Sequence, residues 1–184
     1  MVDYVLNEGR KYEYGCAMLY FDFPMIYKIQ DAINPDDVYE EEDDDSYGFE
    51  TESHVTLLFG LHKEVTDDEV KGVLNKFTFA PIKLTKLSIF DNPKYDVLKF
   101  DIADNGGGHI LYEVNKELKK FPFTSDFPDY HPHMTVAYLK PDTGNKWVKK
   151  LKIQEFTLTP KYAMYSKPNK GKKEKTRFNI QLSK

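Results

Sequence analysis

The chain has 184 residues, of which 40% are hydrophobic and 15% aromatic, and its formal net charge is −4. This composition suits one domain with a sizeable core, and the negative charge argues against a protein that coats long nucleic acid through a basic surface. No apolar run approaches the ~20 residues that cross a bilayer, and the N-terminus lacks a signal-peptide pattern. With a single cysteine, Cys16, no intramolecular disulfide is expected, so we predict a globular protein of a reducing cytosol with Cys16 in its core.

The first part of the chain alternates strand and helix patterns. Residues 14–23 form an apolar and aromatic run typical of a buried strand, and Pro24 suits the first turn of a helix that continues to Ile33. Residues 34–50 are predicted to be an irregular acidic insertion, which leads to a strand over residues 54–60. Thr66 and Glu69 then have the spacing of a capping box, which predicts a helix after Thr66.

The second part of the chain continues with hairpins and helices. Its predicted elements, in order, are a hairpin of residues 82–90 and 95–102, a flexible triple-glycine entry at 106–108, a helix over 109–120, a loop over 121–130, a strand from His133, a polar loop over 140–150, and a closing hairpin of 153–166 and 176–182 with a lysine-rich tip at 167–175. We interpret residues 1–184 as a single domain that carries this tip and the acidic insertion.

Charge is distributed unevenly along the chain. Residues 36–52 contain ten carboxylates and no Lys or Arg, whereas residues 140–184 contain thirteen Lys or Arg and three carboxylates. The acidic run is expected to be a solvated loop. The basic run could give a small anionic ligand a positive region on an acidic protein.

Two short motifs share one pattern. His54-Val55-Thr56 and His133-Met134-Thr135 lie about 80 residues apart, each in a predicted strand. Because side chains alternate along a strand, the His and Thr of each motif point to the same face. Two such strands facing one cleft could hold a phosphate between two imidazoles and two hydroxyls.

These residue types suit cleavage of a phosphodiester. One histidine can deprotonate the nucleophile, the other can protonate the leaving oxygen, and Thr56 and Thr135 can donate hydrogen bonds to the phosphate. The sequence leaves open which histidine is the base. The motifs contain no carboxylates, so neither a metal site nor a cofactor is predicted.

The paired motifs resemble those of the 2H phosphoesterase family, whose members carry two His-x-Thr or His-x-Ser motifs on pseudo-symmetric lobes. The order of predicted elements favours an α+β protein with antiparallel sheets. The resemblance, which covers residues 14–182, implies two pseudo-symmetric lobes of antiparallel sheet facing a central groove, with helices packed outside.

A closer resemblance concerns the anti-CBASS nucleases of tailed bacteriophages, which are 2H enzymes. It rests on both motifs, on residues 12–15 and on the loop around Trp147. It implies metal-independent cleavage of 3′–5′ bonds in cyclic di- and trinucleotide immune messengers, in the cytoplasm of a bacterial host. The expected partner is thus a small cyclic oligonucleotide, with neither a membrane nor long nucleic acid involved.

Three residues are candidates for binding the rest of such a substrate. Tyr12 and Trp147 could stack on bases, although Tyr12 could equally pack as part of an N-terminal arm and Trp147 could belong to a short amphipathic helix. Lys140 follows the second motif strand and could meet a second phosphate.

Two other classes of function remain open at this point. One is an RNA-processing 2H enzyme that acts on 2′,3′-cyclic phosphate ends, which the acidic run disfavours. The other is a binder that sequesters cyclic nucleotides without cleaving them, for which two complete His-Thr pairs would be unnecessary.

Overall fold

The computed structural model describes residues 13–169 and 172–184. Within these ranges the helices are α1 (Met25–Asp31), α2 (Asp67–Leu74), α3 (Gly107–Leu118) and α4 (Gly144–Lys150), and a short 3-10 turn spans Pro35–Asp37. The strands are β1 (Gly15–Phe21), β2 (His54–Leu61), β3 (Thr78–Phe79), β4 (Ile82–Phe90), β5 (Asp96–Ile102), β6 (His133–Leu139), β7 (Phe156–Leu158), β8 (Pro160–Asn169), β9 (Lys172–Phe178) and β10 (Gln181–Leu182).

Two four-stranded antiparallel sheets form two lobes. The strand order is β2-β1-β8-β9 in the first lobe and β6-β5-β4-β7 in the second. Each sheet therefore ends in the strand that carries a His-x-Thr motif, and these two edge strands, β2 and β6, lie side by side. The predicted α+β architecture with two antiparallel lobes is confirmed.

Side chains alternate between two faces of the first sheet. Every second residue of β1 is buried in the core, namely Ala17, Leu19 and Phe21. Met18 and Tyr20 point to the other face, where Met18 lies opposite Thr56 and Tyr20 opposite His54. We call this the groove face, and the space that it shares with the corresponding face of the second sheet is the groove.

The second sheet repeats this division. Leu98 and Phe100 of β5 are fully buried in the core. Lys99 and Asp101 point to the groove face, opposite Thr135 and His133 respectively. The hydroxyl of Tyr130, in the loop before β6, donates to the backbone carbonyl of Thr56 at 2.8 Å and so joins the two motif segments.

The acidic insertion is not a free loop. It runs along the outer edge of β6, where the amide of Tyr39 donates to the carbonyl of Tyr138 and the amide of Tyr138 donates to the carbonyl of Gly48. Gln30 of α1 fixes the end of the insertion by donating to the carbonyls of Glu50 and Val136. Backbone groups that an edge strand would leave exposed are therefore paired.

The structure confirms the predicted start of α2 and corrects that of α3. The predicted capping box before α2 is confirmed, since the Thr66 hydroxyl accepts from the amide of Glu69 and the Glu69 carboxylate accepts from the amide of Thr66. The predicted flexible glycine entry is wrong, because α3 begins at Gly107. A Cβ at Gly108 would lie only 1.7 Å from the carbonyl oxygen of Ala103, so this glycine permits close packing.

Two further expectations differ from the structure. The polar loop predicted over 140–150 is a helix in its second half, because Asp96 accepts a hydrogen bond from the amide of Gly144 and Trp147 packs into the core. The single strand predicted over 153–166 is divided, since β7 pairs with β4 in the second lobe and β8 with β1 in the first. The alternation of side-chain types continues from β7 into β8, so the sequence pattern does not reveal the break between the two strands.

Over the described ranges, no helix combines the length and apolar character that crossing a bilayer requires.

Candidate active site

His54 opens β2 and points into the groove. Its Nδ1 lies 2.8 Å from the backbone carbonyl of Glu52, and its ring stacks on Tyr20 with centroids 5.4 Å apart. A carbonyl oxygen can only accept a hydrogen bond, so Nδ1 carries the proton of the neutral ring and Nε2 keeps its lone pair. The local backbone thus fixes both the tautomer and the orientation.

His133 opens β6 in the same manner. Its Nδ1 lies 2.8 Å from the carbonyl of His131, two residues earlier in the chain, and its ring is perpendicular to that of Phe90, with centroids 4.8 Å apart. His131 therefore contributes its backbone carbonyl, which again leaves Nε2 of His133 as the free ring nitrogen. Both histidines have one tautomer, set by an identical contact.

Each motif strand has a register shift immediately after its threonine. In the first lobe, Thr56 lies opposite Met18 while Leu58 lies opposite Ala17, so Leu57 is the extra residue of a β-bulge. A bulge bends its strand and redirects the side chains beside it. The bulge at Leu57 separates His54 and Thr56 from the part of β2 that follows.

The second lobe has its bulge at the equivalent position. Thr135 lies opposite Lys99 while Ala137 lies opposite Leu98, so Val136 is the extra residue. Thr135 is nearly buried, and Thr56 is half-buried. The two lobes thus present the same His, Thr and bulge to one groove, as pseudo-symmetry requires.

The residues opposite the two threonines differ between the lobes. The first lobe has the apolar Met18 opposite Thr56, whereas the second has Lys99 opposite Thr135. Lys99 is buried, with only 8% of its side chain exposed. Its ammonium donates to the Ser88 hydroxyl at 2.7 Å, a contact that the methionine lobe does not have.

The ammonium of Lys99 has two further neighbours. It donates to Oδ1 of Asp101 at 2.6 Å and lies 4.2 Å from the centroid of the Phe90 ring. This places a fixed positive charge beside His133 and makes the groove electrostatically asymmetric. An ammonium has three hydrogens, and the contacts with Ser88 and Asp101 use two of them.

This environment sets the protonation of His133. The pKa of His133 is lowered to about 4, chiefly by burial and also by the charges of Lys99 and His54, against opposing effects of the His131 carbonyl and Asp101. The ring is therefore neutral at pH 7, with Nε2 ready to accept a proton.

Cys16 lies on the groove face and not in the core, where the sequence suggested it. It precedes Met18 by two positions on β1 and is hydrogen-bonded to the side chain of Thr56. Burial raises the pKa of its thiol to about 11, so it stays protonated and is a poor nucleophile.

Two exposed phenylalanines were missed by the sequence interpretation, as was Lys99. Phe59 lies opposite Cys16 on the groove face, and Phe90 touches His133; they are 38% and 37% exposed. The signal for Lys99 was its position on the polar face of an alternating strand. Exposed aromatic rings on the floor of a groove are typical of binding surfaces.

Two of the three predicted substrate-binding residues, Trp147 and Lys140, lie away from the motifs. Tyr12 lies outside the described residues. Trp147 is 2% exposed and donates its indole N–H to Asp37 at 2.8 Å, so its ring is unavailable for stacking. Lys140 follows the far end of β6, roughly 23 Å from His133 at the rise of an extended strand, and its ammonium donates to the carbonyl of Asp36.

A shallow pocket lies beside the His54 stack. It is lined by Tyr20, Tyr162 and Tyr27, with the carboxylates of Asp22 and Glu52 among its other residues. This side of the first lobe is therefore acidic and aromatic. It suits a neutral, hydrogen-bonding group better than a phosphate.

No group of three or more His, Cys, Asp or Glu side chains within residues 13–169 and 172–184 could hold a metal ion. The chemistry available from the described side chains is that of two imidazoles, two hydroxyls and one ammonium.

Comparison with solved structures identifies the fold. Kluyveromyces marxianus Usb1 is similar over 91% of this chain and 98% of its own, with a TM-score of 0.57 and 10% identity. Its structure with uridine monophosphate gives a TM-score of 0.56 at 10% identity, over 92% of this chain and 99% of that one. The chain has the 2H phosphoesterase fold.

A third structure, Escherichia coli LigT with 3′-AMP, matches 94% of this chain and 100% of its own at a TM-score of 0.49 and 16% identity. At these identities the likeness shows the fold alone. No family model matches the sequence, and no curated protein does.

Proposed function

We propose that this protein is a metal-independent phosphodiesterase that cleaves 3′–5′ bonds in cyclic di- and trinucleotide immune messengers. It would act without a cofactor in the cytoplasm of a bacterial host, where a phage-encoded enzyme of this kind removes the signal of CBASS defence. One observation carries the catalytic part of the proposal. His54 and His133, from different lobes, face one groove with the same ring nitrogen free.

The surrounding charges assign a different role to each histidine. His133 is neutral beside Lys99, which suits a general base. His54 has the Glu50 carboxylate 3.9 Å from its Nδ1, a partner for the imidazolium form that a general acid needs. We therefore assign His133 as the base and His54 as the acid.

The remaining groove residues suit a bound phosphate. The hydroxyls of Thr56 and Thr135 can donate to its non-bridging oxygens, and the ammonium of Lys99 lies on the same face as Thr135. Charge that develops in the transition state is stabilised most by donors that are already fixed. Lys99, held by Ser88 and Asp101, meets that requirement.

The nucleophile in this proposal is the substrate's own 2′-hydroxyl. Within the described residues, neither threonine is hydrogen-bonded to an imidazole nitrogen, so neither is activated as a covalent nucleophile. The 2′-hydroxyl lies next to the 3′-phosphate, which makes its attack intramolecular. His133 would take its proton, and His54 would protonate the departing 5′-oxygen to leave a 2′,3′-cyclic phosphate.

Nucleotide specificity is supported by two features. Phe59 and Phe90 offer one exposed ring on the groove face of each lobe, and stacking contributes roughly 1–3 kcal/mol per base. The 2H fold also accommodates a nucleotide in Kluyveromyces marxianus Usb1, whose structure contains uridine monophosphate. The acidic insertion along β6 disfavours a long polyanionic strand and so favours a small substrate.

A mass-spectrometric screen tests the proposal. The purified protein is incubated in excess EDTA with cyclic dinucleotides, cyclic trinucleotides, and RNA that ends in a 2′,3′-cyclic phosphate. We expect linear products from the cyclic di- or trinucleotides. Cleavage of the RNA ends alone would indicate an RNA-processing enzyme, and binding without any product would indicate a sequestering protein.

A further inference from the structure

The outer strand of the first lobe carries a row of cations on its groove face. Arg177 lies opposite Met164, and Lys175 opposite Ser166. Met164 in turn lies opposite Met18 of β1, which faces the groove. Directly opposite residues in an antiparallel ladder share a face, so Arg177 and Lys175 point into the groove.

A continuous stack of rings connects Arg177 to His54. The guanidinium carbon lies 3.7 Å from the centroid of Tyr162, Tyr162 stacks on Tyr20 at 5.1 Å, and Tyr20 stacks on His54 at 5.4 Å. The guanidinium is therefore at most roughly 14 Å from the His54 ring. Stacking fixes the plane of an arginine and leaves the N–H groups along its edge available.

The carboxylates near this hairpin are engaged elsewhere. Asp67 of α2 pairs with Lys167 at 3.1 Å and accepts from Thr176, and Glu174 accepts from Asn169. Glu174 and Thr176 alternate with the cationic row, so these contacts belong to the opposite face of β9.

The two groove-facing cations have no acidic partner among the residues that the structure describes. Across residues 13–169 and 172–184, neither Arg177 nor Lys175 forms an ion pair with a carboxylate. The rest of the first lobe is different, because the pocket beside Tyr20 includes Asp22 and Glu52. On the groove face of this lobe, positive charge is thus concentrated along β9, across the sheet from the motif strand.

We propose that Arg177 and Lys175 bind a second phosphodiester of the oligonucleotide whose scissile phosphate lies between His54 and His133. This inference rests on the proposed function for the position of the first phosphate. The ligand class is an oligonucleotide with two phosphodiesters, either a cyclic dinucleotide or a short linear strand. Arg177 supplies a planar pair of donors that matches a phosphate, and Lys175 supplies a second charge.

Calorimetric binding tests the site without requiring turnover. A His54→Asn/His133→Asn background is titrated with cyclic di-AMP, which has two phosphodiesters, and with the dinucleoside monophosphate ApA, which has one. Arg177→Gln should weaken binding of cyclic di-AMP by about 10- to 100-fold, the loss expected for a charged hydrogen bond, and that of ApA by less than about 2-fold. The same variants are also titrated with the linear trinucleotide ApApA, which has two phosphodiesters.

Lys172→Gln is the matched control. Lys172 is exposed on the same strand but on the opposite face, so its loss removes one charge from the hairpin without touching the row. Lys172→Gln should weaken the binding of neither ligand by more than about 2-fold. Arg177→Lys should bind cyclic di-AMP more tightly than Arg177→Gln does, because it keeps the charge. A loss for ApApA that equals the loss for cyclic di-AMP would support the site and show that it accepts the second phosphate of either ligand, whereas a loss for ApApA alone would identify a linear strand as the source.

Three results would overturn the inference. They are an equal loss for ApA and for the ligands with two phosphodiesters, which would mean that Arg177 does not act on a second phosphate; no loss for any ligand; or no binding of either cyclic di-AMP or ApApA. Failure of the proposed function is a separate result. Wild-type protein that binds cyclic di-AMP through Arg177 but never cleaves it would refute catalysis and leave this site intact.

Discussion

Lys99 lies directly opposite Thr135 in the ladder of β5 and β6, at the position that Met18 occupies opposite Thr56 in the other lobe. The two lobes therefore have similar His-Thr pairs, but only the pair of the second lobe has a positive charge opposite its threonine. A buried ammonium on one side of the groove favours a neutral histidine and stabilises an anion there.

Replacing Lys99 by methionine should lower kcat by about 100-fold, the magnitude found when a fixed donor to a developing oxyanion is removed. The variant gives the second lobe the side chain of the first. Lys86→Met is the matched control, because Lys86 also lies near Asp101, at 4.0 Å, but is 75% exposed. An equal loss in both variants would assign the effect to Asp101 and not to the ammonium.

The pH dependence should identify His133 as the base. A base must be deprotonated, so activity is lost as the pH falls through its pKa; because that pKa is lowered to about 4, kcat/KM should stay high on the acidic side until near pH 4. Bound phosphate is anionic and raises the pKa, so the acidic limb of kcat should lie at higher pH. If NMR shows His133 titrating near its ordinary pKa of ~6.5, the assignment is wrong.

The 2′-hydroxyl of the substrate should be essential. A cyclic dinucleotide that lacks this hydroxyl beside the scissile bond should bind with similar affinity but should not be cut there, because no intramolecular nucleophile remains. Liquid chromatography of the products after prolonged incubation measures this. Cleavage of the deoxy analogue at a comparable rate would make water the nucleophile.

The sequence predicted what depends on local pattern. Period-two alternation placed His54 with Thr56 and His133 with Thr135, and a three-residue spacing identified the cap of α2. Each of these features depends on a few neighbouring residues. Local pattern was also sufficient for the fold class, which the structure confirms.

Features that depend on strand register were not predictable. The sequence does not indicate that Lys99 lies opposite Thr135, because β5 and β6 are separated by about 30 residues. It also does not give the register that lets Arg177 reach Tyr162 across the β8–β9 hairpin. The role of Trp147 was also not predictable from local sequence. A tryptophan in a polar segment resembles a binding residue, and only the structure shows that its indole N–H donates to Asp37.

The most direct test of the account is single-turnover cleavage of a cyclic dinucleotide in excess EDTA by His54→Ala, His133→Ala and the double variant. Because the base and the acid act in one transition state, removal of either should lower the rate by roughly 10²- to 10⁴-fold. The effects of the two substitutions should be far from additive. We predict a double variant within about tenfold of the slower single variant. Near-full activity in either single variant would contradict the mechanism, as would activity that depends on added metal.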